Sequence, residues 1–413
     1  NSGDIASLVN TGNFQNDTAG EVTGTTDVND GTVANAGTLT GLTTVAADGI
    51  LFNYFGGVAG AVVNASTGGS RNSGDIASLV NTGNFENATT GEVTGTTDVN
   101  DGQFLNFGTL TGLTTVAADG RLSNYSGGDV GAFVNASTAT SRNFGDIASL
   151  VNTGNFRNES SGEVTGTTDI NDGVVINDGT LTGTVSNSGT LNTSTGTIGD
   201  TLTNNASGTV LIDTGVSGGT TTFGFEVVNN GLIDLTQGTS ASTSGGSYET
   251  AAFNGGLSGT GSYNMDVDLT QTAGGSAFQA DLLTVTGGPD ASGTYALNLN
   301  DISGGTRVLQ SSDIVLVDGD NIAPLSFTTS GLPIGGTILY EALQKTDNLV
   351  IQSTVNPAIG GISGGISFVQ SLLGTVINRP SSANVSSIAY QDDDGCSRGA
   401  WARATGGTAD TTS

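Results

Sequence analysis

Apolar side chains in residues 1–240 come in short runs of three to five alternating positions. In Gly37-Thr38-Leu39-Thr40-Gly41 and Gly74-Asp75-Ile76-Ala77-Ser78, one aliphatic residue sits between Thr, Asp or Ala, and Gly opens the run. Alternation of this kind has the period of a strand. No single run is long enough to bury a core. Each needs a neighbour on which to stack.

The runs recur in register. Asn1-Ser2-Gly3-Asp4-Ile5-Ala6-Ser7-Leu8-Val9-Asn10 returns at Asn72 and, with Phe144 in the place of Ser2, again at Asn143, a period of 71 residues. Residues 1–30 and 72–101 differ only at Gln15/Glu86, Asp17/Ala88 and Ala19/Thr90. Within each period lies a smaller unit: Asn, a few residues, Gly, any residue, an aliphatic residue. Four such units fill 71 residues, so each is about 18 residues long. Ile5, Val22, Leu39 and Val58 are read as its equivalent aliphatic positions. The Asn-x-Gly at each edge is expected to supply a left-handed corner, and Asn at equivalent corners to stack as a hydrogen-bonded ladder. Asn177 and Asn187 are only ten residues apart, so some coils carry two such corners or are smaller.

Stacked units of this length predict an all-β fold, a right-handed parallel β-helix with a C-terminal β cap and a short linker helix. At about 4.8 Å per coil, residues 1–240 would form roughly 13 coils and a rod of about 60 Å. From 241 to 356 the 71-residue period is gone, strand-like runs such as Tyr263–Leu269 and Tyr295–Leu299 persist, and aromatics are denser. This stretch is read as the cap that a solenoid needs over an open end. In 357–391, Asn356-Pro357 closes the rod, Gly360–Gly365 forms a joint, and Ile366, Val369, Leu372 or Leu373, and Val376 recur at helical spacing up to Pro380. Asn384–Tyr390 may be read as resuming that helix. Residues 392–413 hold a charged turn, Asp392-Asp393-Asp394-Gly395, and an alternating run, Gly399-Ala400-Trp401-Ala402-Arg403-Ala404-Thr405-Gly406-Gly407.

The composition narrows the chemistry. Of 413 residues, 38 are acidic and 9 basic, giving a net charge of −29; Gly numbers 67, His 0 and Cys 1. Without His there is no Ser-His-Asp triad and no His metal ligand. One Cys makes neither an intrachain disulfide nor a zinc cluster. The charge excludes nucleic acid as a partner. No run of 18 apolar residues encodes a membrane-spanning helix.

The order of parts resembles the type V secretion autotransporters: a β-helical passenger (1–240), a passenger cap (241–356), a linker helix (357–391) and, in Gly399–Gly407, the first strand of an outer-membrane barrel (392–413). The resemblance implies that Gly364–Tyr390 threads the barrel pore and that the passenger stands outside the cell. About a dozen further strands would complete such a barrel, and only a closed barrel spans a membrane with strands. The chain therefore reads as a truncated precursor that starts inside a larger protein or after processing. The lone Cys396 suits a chain that crosses an oxidising periplasm unfolded. The family's self-cleavage point would fall in Asn378–Asn384, where no diagnostic motif assigns a residue.

No catalytic, cofactor-binding or metal-ligating residue is assigned. Asp27…Asp30, Asp98…Asp101 and Asp169…Asp172 carry oxygens suited to calcium, but they lack the closing Glu of an EF-hand and the calcium β-roll nonapeptide. Corner capping is the favoured role. Asp266 and Asp268 share a strand face, yet Lys345 is the single Lys of the chain and no basic cluster would hold an acidic sugar. Phe52, Tyr54 and Phe55, with Tyr125 in the next period, form either an exposed stripe for sugar or protein contact or a core or coil-stacking set, the favoured role; Phe14, Phe85 and Phe156 are expected to stack inside. The expected function is a rigid, acidic, non-enzymatic surface stalk, acting in adhesion or surface presentation, with cell-surface glycans or host or matrix proteins as partners. The alternatives are a β-helical polysaccharide-degrading enzyme and a calcium-dependent surface-layer protein.

Overall fold

The computed structural model describes residues 1–193, 195–212, 219–236, 248–270, 280–286, 292–303, 307–310, 312–320, 322–377, 390–391 and 397–398. The alternating run Gly399–Gly407, Cys396 and the stretch Asn378–Asn384 lie outside these residues.

The chain winds into a parallel β-solenoid. Each coil contributes three short strands, one to each of three faces, and each strand pairs in register with the coil on either side. On the first face Ile5 pairs with Val22, Val22 with Leu39, Leu39 with Ala59, Ala59 with Ile76, and Ile76 with Val93. The column continues through Leu110, Val130, Ile147, Val164 and Leu181 to Ile198. From Val22 onwards its members are buried. Val58 is not among them. It pairs with Thr38 and is 42% exposed, while Ala59 takes the inward place. The inward residue stands two after the corner glycine, Gly57 here and Gly37 one coil earlier. Choosing the larger aliphatic shifts the register by one, which reverses every side chain of the run.

The second face stacks Leu8, Thr26, Thr43, Val62, Leu79, Thr97, Thr114, Phe133 and Leu150. The third carries Phe14, Val33 and Leu51, then Phe85, Phe104 and Leu122. Phe85 and Phe104 lie parallel with ring centroids 5.5 Å apart, and Phe156 is buried too, as the period implied.

An asparagine ladder fixes the corner after the third face. Nδ2 of each member donates to Oδ1 of the next, from Asn1 through Asn16, Asn35, Asn53, Asn72, Asn87, Asn106, Asn124, Asn143 and Asn158 to Asn177, over 2.7–2.9 Å. The steps are 15, 19, 18 and 19 residues, then repeat, which together make the 71-residue period. A second, interrupted ladder lies at the corner after the second face. There Asn64 donates to Asn81, Asn135 to Asn152, and Asn187 to Asn204; Val28, Val45, Val99 and Val116 occupy the intervening coils. Asn177 and Asn187 therefore belong to two corners of one winding.

The Asn-x-Gly glycines are left-handed at the Asn29-Asp30-Gly31 and Asn100-Asp101-Gly102 corners but not beside the asparagine ladder. The positive-φ positions include Gly31 and Gly102, both at φ 72°, but not Gly37, Gly74 or Gly108. At Gly108 the constraint is space: a Cβ would lie 2.2 Å from the carbonyl oxygen of Gly91 in the coil before. Within its own coil the corner is held by Asn106, whose Nδ2 also donates to the Gly108 carbonyl at 3.0 Å.

Parallel stacking runs on past residue 240. The second face continues Leu202, Val227, Leu257, and the third Thr209, Leu232, Ser262, Ala296, Thr328. The windings lengthen, with Asn204 and Asn229 25 residues apart and Asn264 and Asn298 34 apart. A wider winding needs larger filling, and the core turns aromatic. Phe223 stacks on Phe253 at 5.2 Å, and Tyr263 meets Tyr295 edge-on at 5.6 Å. Ile314–Gly319 then pairs antiparallel with Asn348–Val355, Ile314 opposite Ile351. That reversed strand occupies a sheet edge that would otherwise accept another parallel coil.

The backbone divides into two compact units, residues 1–332 with 340–352, and residues 333–339 with 353–413. The second contains the helix α1, Pro357–Ile377. Asn356 Oδ1 accepts the Ala358 amide at 3.0 Å, and Pro357 takes the first helical position, the preferred start chemistry. The Gly360–Gly365 segment is thus helical and not a joint. Ile366, Phe368, Val369, Leu372 and Leu373 are exposed on α1. Among the described residues no helix is long and apolar enough to cross a membrane, which leaves strands aside.

Candidate functional site: an aromatic and polar groove on the third face

Repeated strands place repeated side chains outward, so a site must come from positions at which the periods differ. The outward column of the third face runs Gln15, Ala34, Phe52, Arg71, Glu86, Leu105 and Ser123. Phe52 replaces what is Ser123 one period on. Beside it stand Gly68 and Gly69, without side chains, Gly69 at φ +88° with open space where its Cβ would be. The result is a groove of about 360 Å³ lined by Phe52, Arg71, Asn84, Glu86, Gln103 and Leu105. Arg71 Nε meets Glu86 Oε1 at 2.9 Å, with the two side chains 54% and 37% exposed. Asn84 Nδ2 donates to the Thr67 carbonyl at 3.0 Å.

The aromatic positions split between the two roles weighed for them. Tyr125 is packed between Phe107, at 4.4 Å, and Phe144, at 5.7 Å, all three nearly parallel. Their ring faces cover one another, so in the second period the stack joins coils. In the first period the positions of Phe107 and Phe144 are Ala36 and Ser73. Tyr54 is therefore 51% exposed and Phe55 78%. Phe52 lies 6.3 Å from Tyr54 at 25°, linking this patch to the groove.

Six acidic residues of the coils are held by their neighbours. Asp30, Asp101 and Asp172 each accept the following glycine amide, over 2.6, 2.6 and 2.7 Å. Glu21, Glu92 and Glu163 accept the hydroxyls of Thr40, Thr111 and Thr182 in the next coil. Asp129, Asp146 and Glu163 stand in consecutive coils. Partial burial, then these two neighbours, push the Asp146 carboxyl above the usual carboxylate range. Among the described residues no group of three or more His, Cys, Asp or Glu is arranged to hold a metal ion.

Asp266 and Asp268 do share an outward edge, but each is engaged locally. Asp266 Oδ1 accepts Asn300 Nδ2 at 2.7 Å, and Asp268 Oδ1 accepts the Thr270 amide and hydroxyl. Burial holds the Asp266 carboxyl above the usual carboxylate range in spite of the Asn300 bond, and a carboxyl the sequence does not single out is raised further. Asp281 is fully buried and accepts the amides of Glu249 at 2.8 Å and Asp266 at 2.7 Å. Burial pushes it up to about 8 in spite of those two bonds, and Asp266 and Glu249 add to the rise. Asp281 opens an ordinary-looking strand run, and only the longer windings reveal that it faces inward. Lys345 pairs with Asp313.

No family model matches the chain, and no curated protein matches it either. Among solved structures, it is similar to the Hap adhesin of Haemophilus influenzae, at 14% identity and a TM-score of 0.30, over 84% of this chain and 43% of that one. It is also similar to a TibC-catalysed hyper-glycosylated TibA fragment, at 18% identity and a TM-score of 0.31, over 78% and 98%. The chain thus spans under half the length of the Hap adhesin structure.

Proposed function

We propose that this chain is the passenger region of an autotransporter, a rigid acidic stalk that stands on a bacterial surface and binds, without catalysis, cell-surface glycans or host or matrix proteins. The supporting observation is the succession of parts: an in-register solenoid, closed by an antiparallel strand at Asn348–Val355 and followed by the N-capped helix α1. In this reading residues 241–356 fold first outside the cell and offer an edge on which each further coil forms. Folding then draws the chain outward. Repeated faces let weak contacts sum, and a net charge of −29 keeps the rod soluble. The binding role is supported by the open aromatic patch of the first period, where Tyr54 is 51% and Phe55 78% exposed.

The test is to express the complete gene in a bacterium with two membranes and add protease to intact cells. Cleavage of the solenoid in intact cells, with adhesion to glycan- or matrix-coated surfaces lost on shaving, is the expected result. Protection of the solenoid until the cells are lysed would refute the surface assignment.

A further inference from the structure

We infer that the groove of Phe52, Arg71, Asn84, Glu86, Gln103 and Leu105 is a binding site for a neutral oligosaccharide; this deepens the surface-binding reading and rests on it.

The groove is not a by-product of the repeat. One period later Phe52 becomes Ser123, Gly69 becomes Thr140, Glu86 becomes Arg157 and Gln103 becomes Val174. Phe52 and Gly69 lie in residues 31–71, where the first two periods also part at Thr32/Gln103, Val33/Phe104 and Ala34/Leu105. Phe52, Gly68 and Gly69 give way together to Ser123, Ala139 and Thr140.

Its chemistry matches a sugar ring. Sugar rings present an apolar C–H face and a rim of hydroxyls that both donate and accept. Phe52 offers a flat apolar surface, extended by the exposed ring of Tyr54. Around it stand a guanidinium, a carboxylate and two amides, which together supply donors and acceptors in fixed planes. The volume of about 360 Å³ falls in the range of small-molecule sites, whose usual make-up is apolar walls with a few polar groups. Charge selects the class. Arg71 is already neutralised by Glu86, and the molecule as a whole carries −29, so an acidic glycan meets repulsion without a free cation.

The test uses the purified full chain, with malto-, cello-, galacto- and N-acetylglucosamine oligomers as neutral probes and heparin and polygalacturonate as acidic ones. Binding is read by calorimetry and by saturation-transfer NMR. At least one neutral series should bind, and F52S/Q103V should weaken it at least tenfold. Both substitutions introduce the residues that the next period carries at the same places, so the coils should still stack. Glu86→Arg, which copies Arg157, is the second variant and should weaken binding equally by filling the groove. Phe144→Ala, in the closed stack, should leave it unchanged. Failure of every neutral probe, preference for an acidic one, or undiminished binding by both groove variants would overturn the inference. Adhesion by intact cells without sugar binding by the purified chain would remove the groove and leave the surface role; sugar binding by a chain that never reaches the surface would do the reverse.

Discussion

Asn87 donates through Nδ2 to Oδ1 of Asn106 across 2.9 Å, and both side chains are wholly buried although they lie 19 residues apart. Asn106 in turn donates to Asn124 and to the Gly108 carbonyl. Truncation removes an acceptor from one coil and a donor from the next, inside a dry corner. Asn106→Ala should therefore cost roughly 2–3 kcal/mol. Urea melts of Asn106→Ala beside the parent chain measure it.

The register on the first face can be read by exchanging neighbours. Val58 points outward, at the place Asp129 holds one period later, whereas Ala59 is buried at the place of Val130. Val58→Asp should change stability by no more than about 0.5 kcal/mol. Ala59→Asp should cost about 3–5 kcal/mol or prevent folding, since it buries a lone charge. Equal effects of the two in thermal melts would contradict the register.

Thr97 and Thr114 fill the second-face column between Leu79 and Phe133, and their buried hydroxyls have no hydrogen-bond partner. Val has the same shape without the desolvated oxygen. Thr97→Val should accordingly raise stability by about 1 kcal/mol, seen as a higher denaturation midpoint at unchanged slope. A loss instead would mean that the hydroxyl is satisfied in solution.

Asp281 gives the second half of the solenoid a pH dependence of known sign. Its folded-state carboxyl is raised to about 8 by burial, above an unfolded value near 3.9. The folded form then holds a proton that the unfolded form has released. The associated stability is fully present below about pH 4 and is lost as pH rises through 8. Melting temperature should fall from pH 5 to pH 9, and Asp281→Asn should flatten that fall. A wild-type curve flat over this interval would refute the assignment.

Much of this was legible beforehand, and the reason lies in repetition. A 71-residue period with Ile5, Leu39 and Ile76 at matching places leaves stacking as the one arrangement that shares their burial. The buried asparagines were legible on the same ground, since a polar side chain repeated at a corner can satisfy itself only against its own copy. The second ladder and the inward turn of Ala59 were less so, because Val and Ala compete for one position and the pattern alone favours the larger. Asn356-Pro357 was legible as a break after the rod, but not as the start of α1; that the glycines after it join the helix was not legible either, because glycine carries no periodic signal.

The sequence by itself determined the coil, its period, the columns inside it and the acidity outside, since each follows from a pattern repeated often enough to have one solution. Tertiary structure alone decided what happens where the repeat fails. Residues 18 or 19 apart in the chain become neighbours only after winding, so whether Phe52 opens a groove, Tyr125 closes into a stack, or Asp281 sits in the dark depends on what the adjacent coil places beside it.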